Sequence, residues 1–189
     1  MIDAMMDATH SFQMSKYVRR EGYIDWIESD ATHAVHLAPN RRDMTFMQLT
    51  GKFKRLCLEA DRYMLGVKHV HLRNSHDRLR MIAFPERIDT NPHLHCFADF
   101  SEAFWGDRID LPWQWKLEQI WRNLTEGSGT IVIQHDIDRG AARYGTKEAF
   151  RRDHEYLHSW DFHRNDKLRK RPCATSLHGV APKKAVLNS

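Results

Sequence analysis

The amino-acid sequence predicts an α+β domain with a mostly antiparallel central sheet and flanking helices, on three observations. Short runs of alternating or continuous apolar residues, bounded by Pro, Asn and Gly, read as strands at Ala31–Ala38, Arg80–Phe84, Leu94–Phe100 and Thr130–Ile137. Two longer stretches carry apolar residues at steps of three and four and read as amphipathic helices. With a final capped helix the order becomes strand, helix, strand, strand, helix, strand, helix, with no internal repeat, which suits helices packed on one sheet.

Each element has a local reason. Residues 1–30 read as a polar, Met-rich N-terminal extension with a short helix around Tyr23 to Glu28. The first strand stops at Pro39-Asn40. From Asp43, a stripe of Phe46, Leu49, Phe53, Leu56, Ala60 and Tyr63 predicts a helix that Gly66 ends, with Lys52, Lys54 and Arg55 on its other face. Val67 to Leu72 fits a strand or a loop. The next two strands are joined by a turn over Pro85 to Asn91. Asp110-Leu-Pro112 starts a helix running to Leu124, with Trp113, Leu117, Ile120, Trp121 and Leu124 as its buried stripe. Gly127-Ser-Gly129 turns the chain into the last strand, with Ile131, Ile133, His135 and Ile137 on one face. Asp138 then caps a helix carrying Tyr144-Gly-Thr-Lys147-Glu148.

Composition is compatible with one domain, over residues 31–160: the chain has 189 residues, 41% of them hydrophobic and 11% aromatic. A net charge of +4 suits a polyanionic partner, and equally a protein with no nucleic-acid role. Its distribution says more, because Arg164, Lys167, Arg169, Lys170 and Arg171 crowd the start of a basic tail, 161–189, expected to be flexible and either phosphate-gripping or simply solvated. No apolar window is long enough to span a bilayer, and Asp3 and Asp7 interrupt any cleavable leader, so a soluble, cytoplasmic protein without a membrane partner is expected. Cys57, Cys96 and Cys173 show no Cys-x-x-Cys spacing and read as free thiols.

The chemistry concentrates in Pro85 to His95, read Pro-Glu-Arg-Ile-Asp-Thr-Asn-Pro-His-Leu-His. On a strand His93 and His95 point to one side and Leu94 to the other, and the turn lets Glu86 fold back beside the pair. Two imidazoles and a carboxylate make a three-ligand divalent metal site with open positions. A His-x-His pair arises by chance in a chain with 13 His, so the downstream helix matters. Tyr144, Lys147 and Glu148 share one helix face, and a phenol, a cation and a carboxylate beside a metal form a constellation for attack on a phosphodiester. A phenol with a pKa of about 10 is a poor nucleophile at neutral pH, and Lys147 supplies the cation that favours its anion.

In these motifs the chain resembles the HUH endonucleases, and within them the rolling-circle replication initiator (Rep) proteins. His93-Leu94-His95 is similar to the family's His-hydrophobic-His signature, and Tyr144-x-x-Lys147 to its nucleophile motif, with Glu148 directly after the lysine as in several viral members. The tyrosine follows the histidines, as in Rep proteins; conjugative relaxases generally place it before a three-histidine cluster. Thr32 to Pro39 stands where the first motif lies but departs from its aromatic-Thr pattern, so the resemblance covers roughly residues 31–150 and rests on the second and third motifs.

The resemblance implies a metal-dependent single-stranded DNA endonuclease and strand transferase that nicks a replication origin, or origin hairpin, through a 5′-phosphotyrosine link to Tyr144. It implies Glu86, His93 and His95 as ligands of Mn²⁺ or Mg²⁺, with Glu148 as a fourth ligand or a group orienting Lys147. No Gly-x-x-x-x-Gly-Lys-Ser/Thr loop occurs, so unwinding is expected from a host helicase or another chain. Three alternatives stand beside this expectation. One is a single-strand transposase of the same superfamily, against which the Lys147 spacing argues; the others are a non-catalytic nucleic-acid-binding protein and a metal-dependent hydrolase using an activated water.

Overall fold

The computed structural model describes residues 2–67, 70, 78–100, 113–152 and 156–162. Among them, five strands form one antiparallel sheet, flanked by four α-helices, which is the α+β class read from the sequence. In chain order these are α1 (Ile2–Asp30), β1 (His33–Ala38), α2 (Phe46–Leu65), β2 (Arg80–Glu86), β3 (His93–Asp99), α3 (Trp113–Leu124), β4 (Thr130–Gln134), α4 (Arg139–Arg152) and β5 (Leu157–His158), closed by a 3₁₀ turn at Ser159–Phe162. The strands lie in the order β4-β1-β3-β2-β5.

Strand alternation sorts the side chains into two cores. Val35 and Leu37 of β1, Met81 and Ala83 of β2, and Leu94 and Cys96 of β3 face α2 and α3, where they pack with Leu49, Phe53, Leu56, Leu117 and Trp121. The Trp121 indole N–H donates to the Ala38 carbonyl at 3.1 Å, fixing α3 to the end of β1. Thr45 starts α2 with a capping box: its hydroxyl accepts from Gln48 N–H while the Gln48 side chain accepts from Thr45 N–H. Gly66 ends α2 at a φ of 82°, a value that glycine adopts without strain. Where α2 meets β2, the buried Asp61 carboxylate accepts from Arg78 Nε at 2.7 Å and from Leu79 N–H at 2.8 Å.

The opposite face carries the smaller core, Ile82, Phe84 and Phe97 of the sheet with Ile24 and Ile27 of α1 and Ala142 and Ala149 of α4. Helices α1 and α4 are tied by charge. Arg139, in the first turn of α4, meets Asp25 at 3.0 Å and Glu21 at 2.8 Å and also pairs with Glu28, all three on α1. Arg20 returns the contact by donating to the Thr146 hydroxyl at 3.2 Å and the Arg143 carbonyl at 2.7 Å. Segment 156–162 seals the far edge, where the buried Ser159 hydroxyl donates to Leu79 O at 2.6 Å and accepts from Met81 N–H at 3.0 Å.

Several boundaries differ from those read in the sequence. The expected short helix near Tyr23 is the end of a 29-residue helix. Strand β2 runs through Pro85 to Glu86, so the turn is 87–92, and among the described residues β5 pairs with Ile82 and Ala83 of β2. Strand β4 stops at Gln134 instead of Ile137, because Asp136 takes a φ of 61° that breaks the pleat. Cys57 and Cys96 are buried free thiols. The Asp110 helix start, most of Val67 to Leu72, Cys173 and the basic run after Arg164 lie outside the described residues. Among the described residues no helix is long and apolar enough to cross a membrane.

Candidate metal centre and tyrosine helix

Three adjacent strands build the candidate site through their register. His36 on β1 lies directly across from His95 on β3, and Glu86 on β2 directly across from His93 on β3. Directly opposed residues share a face, so all four side chains project toward α1 and α4. The three imidazole rings sit 4.9 to 5.3 Å apart centre to centre. One ligand nitrogen from each of His36, His93 and His95 falls within 4.8 Å of the others, a group that could hold a metal ion.

Electrostatics agrees with that use. Burial, followed by the neighbouring His95 and His93, pushes His36 down to about 4. Burial likewise lowers His95, against the opposing pull of Glu86. Both rings are therefore neutral at pH 7, the form in which imidazole donates a lone pair. His93 Nδ1 donates to the Asn91 carbonyl at 2.9 Å, which orients the ring. Glu86 Oε2 lies 2.6 Å from His95 Nε2 and 3.5 Å from His93 Nε2. Burial raises the Glu86 carboxyl, but His95, His93 and Lys147 together outweigh it and hold the group below its ordinary value. An ionised carboxylate thus stands against the imidazole cluster through His95, while the group whose ligand atoms all lie within 4.8 Å of one another is, among the described residues, the three histidines without Glu86.

Helix α4 lies across this face. Asp138 Oδ1 caps it by accepting from Ala141 N–H at 2.6 Å. Ala142, Gly145, Thr146 and Ala149 turn inward, which leaves Tyr144 half exposed at the histidines. The Tyr144 ring stands edge-on to His95 with centres 5.4 Å apart, and Lys147 Nζ sits 3.7 Å from the centre of the Tyr144 ring. Lys147 Nζ also lies 4.0 Å from Glu86 Oε1, linking the tyrosine helix to the carboxylate. Gly145 permits the approach: a Cβ there would come within 2.8 Å of the Phe97 ring and 3.3 Å of His95 Cβ.

Of the residues singled out in the sequence, the fold brings Glu86, His93, His95, Tyr144 and Lys147 together. Glu148 is not part of the histidine group; its Oε1 lies 3.4 Å from Arg151 Nη1. The third imidazole, His36, was missed. Its signal lay in the apolar set Val35 and Leu37, which turns His36 outward, but only the β1–β3 register reveals that it faces His95. Comparisons of the chain with protein-family models, with curated proteins and with solved structures find no match.

Proposed function

We propose that the protein is a tyrosine-dependent, metal-dependent single-stranded DNA endonuclease and strand transferase that nicks a replication origin. The observation that carries this reading is the placement of Tyr144 edge-on to His95, one of three clustered imidazoles, with the Lys147 cation on its ring. His36, His93 and His95, with Glu86 beside them, would hold the ion; three nitrogens with one carboxylate oxygen suit Mn²⁺ better than Mg²⁺. When bound, the ion supplies Lewis acidity toward the non-bridging oxygens of the scissile phosphate.

The chain's own groups account for the rest. The exposed Tyr144 side chain is open to an entering strand, as a nucleophile acting on a macromolecule must be. Its oxygen attacks phosphorus, its proton passes to solvent, and the bond from phosphorus to the 3′ oxygen breaks, with that oxygen protonated to a 3′-hydroxyl. The tyrosine keeps the 5′-phosphate, so bond energy is conserved and the 3′-hydroxyl can reverse the reaction to rejoin a strand. Lys147 stabilises the phenolate character that Tyr144 gains on the way. Glu86, ionised and accepting from His95 Nε2–H at 2.6 Å, orients that ring and keeps Lys147 on the same side.

Incubation with single-stranded DNA of mixed sequence and candidate origin hairpins in Mn²⁺, followed by a denaturing gel, tests the proposal. A covalent protein–DNA band that disappears in Tyr144→Phe and in EDTA is the expected result. Cleavage without an adduct would instead support a hydrolase that activates water. Salt-sensitive binding indifferent to chelator and to Tyr144→Phe, with no cleavage, would support a binding protein.

A further inference from the structure

A cleft of about 580 Å³ opens beside Tyr144, between the β1–β4 edge of the sheet and the first turns of α4, and shares His36, His95 and Tyr144 with the metal centre. We propose that this cleft takes the nucleobase next to the phosphate at Tyr144, and that Gln134 and Asp138 select a base with an exocyclic amine, adenine foremost. The inference rests on the nuclease reading and adds to it the part of the substrate that is recognised.

Size and surface favour a base. The volume falls within the roughly 300–1,000 Å³ of small-ligand clefts. Ala34, Gly140 and Ala141 present a methyl group or less, leaving a slot, and Val132 adds an apolar wall that is 48% exposed although it sits on an edge strand. Apolar walls around a slot suit the flat face of a base. Charge excludes the alternative occupant, a phosphate: among the described residues lining the cleft there is no lysine or arginine, and Asp138 would repel an anion. The cation nearest the tyrosine, Lys147, lies on the Glu86 side instead.

Two polar groups remain to read the base. Gln134 closes β4, and its pairing with Ala34 puts its side chain on the same face as His36. A primary amide offers a donor and an acceptor together, the pattern that pairs bidentately with adenine. Asp138 commits Oδ1 to the α4 cap, and a carboxylate still has accepting lone pairs for an exocyclic amine. Thymine carries no such amine. Gly140 keeps this arrangement open, because a Cβ there would sit 3.1 Å from Asp138 Oδ1.

The test is binding without chemistry. Fluorescence anisotropy of labelled dA10 and dT10 is measured in EDTA on the Tyr144→Phe chain, then on the same chain with Gln134→Ala. The expected result is a preference for dA10 of about tenfold, the size of one bidentate base contact, that collapses toward one when Gln134 is removed. Equal affinities in the Tyr144→Phe chain, including no binding to either, would overturn the proposal, as would a preference that survives Gln134→Ala. Because the assay needs neither metal nor nucleophile, a failed adduct experiment with the preference intact would remove the nuclease reading alone. Adduct formation with no Gln134-dependent preference would remove the base cleft alone.

Discussion

Substituting Gly145 by alanine isolates the close approach of the tyrosine helix to the sheet. The added methyl would lie 2.8 Å from two atoms of the Phe97 ring, whereas carbon atoms pack best at about 3.5–4.0 Å, so helix or ring must yield by about 0.7 Å. Phe97 is itself buried against Phe84 and Ile82, which leaves the ring little room. Overpacking of this kind costs about 1–3 kcal/mol, and alanine returns up to about 1 kcal/mol of helix propensity. The net effect on stability is thus modest, at most about 2 kcal/mol, or a fall in Tm of roughly 4–8 °C for a chain of this size. Function should suffer more, because the residue displaced is the neighbour of Tyr144. A shift approaching 1 Å at a reacting group lowers a rate by up to about a hundredfold. Gly51→Ala is the control: the site is an exposed turn of α2 with nothing within 4 Å of the new Cβ, and the substitution should raise Tm slightly and leave adduct formation alone. The reasoning is refuted if Gly145→Ala raises Tm as Gly51→Ala does and forms adduct at the parental rate.

Other perturbations test separate parts of the account. Asp61→Asn removes the charge that the buried Arg78 faces at 2.7 Å and should cost about 3–5 kcal/mol in a denaturant titration. Mn²⁺ at a hundred times its dissociation constant should stabilise the chain by about 2.7 kcal/mol; His36→Ala and His95→Ala should weaken that response, and Tyr144→Phe should keep it. His33 is lowered to about 4 by burial and by His135, below its ordinary 6.5, so the folded form binds fewer protons than the unfolded. That contribution is present above pH 6.5 and is lost as pH falls toward 4; His33→Phe should flatten this part of a stability-versus-pH curve, and an unchanged slope would contradict it. Arg139→Ala should melt earlier, with a difference that shrinks in high salt, since three α1 carboxylates lose their shared cation.

Local patterns carried much of the fold. The alternation of His93, Leu94 and His95, the Asp138 cap and the apolar stripes of α2 and α3 each depend on neighbours in the chain, and each appears in the structure. What escaped depends on partners distant in sequence. His36 joins the site only through the antiparallel pairing of β1 with β3, and β5 is two residues held in place by Ser159 and the β2 edge. Helix α1 escaped for another reason: its apolar residues are spread around the helix, with no single stripe, and part of its hold on α4 is the set of ion pairs from Glu21, Asp25 and Glu28 to Arg139. Glu148 shares one helix face with Tyr144 and Lys147, as the spacing implies, and its Oε1 also lies 3.4 Å from Arg151 Nη1, one turn on.

The central claim is that Tyr144 becomes joined to DNA, and locating the adduct tests it most directly. Trypsin cuts after Arg143 and Lys147, so mass spectrometry of the digested complex should find the nucleotide remnant on Tyr-Gly-Thr-Lys, residues 144–147, as a phosphotyrosine ester. A remnant on another peptide, such as one holding the exposed Tyr17, or cleaved DNA with a free 5′-phosphate and no modified peptide, would contradict the account.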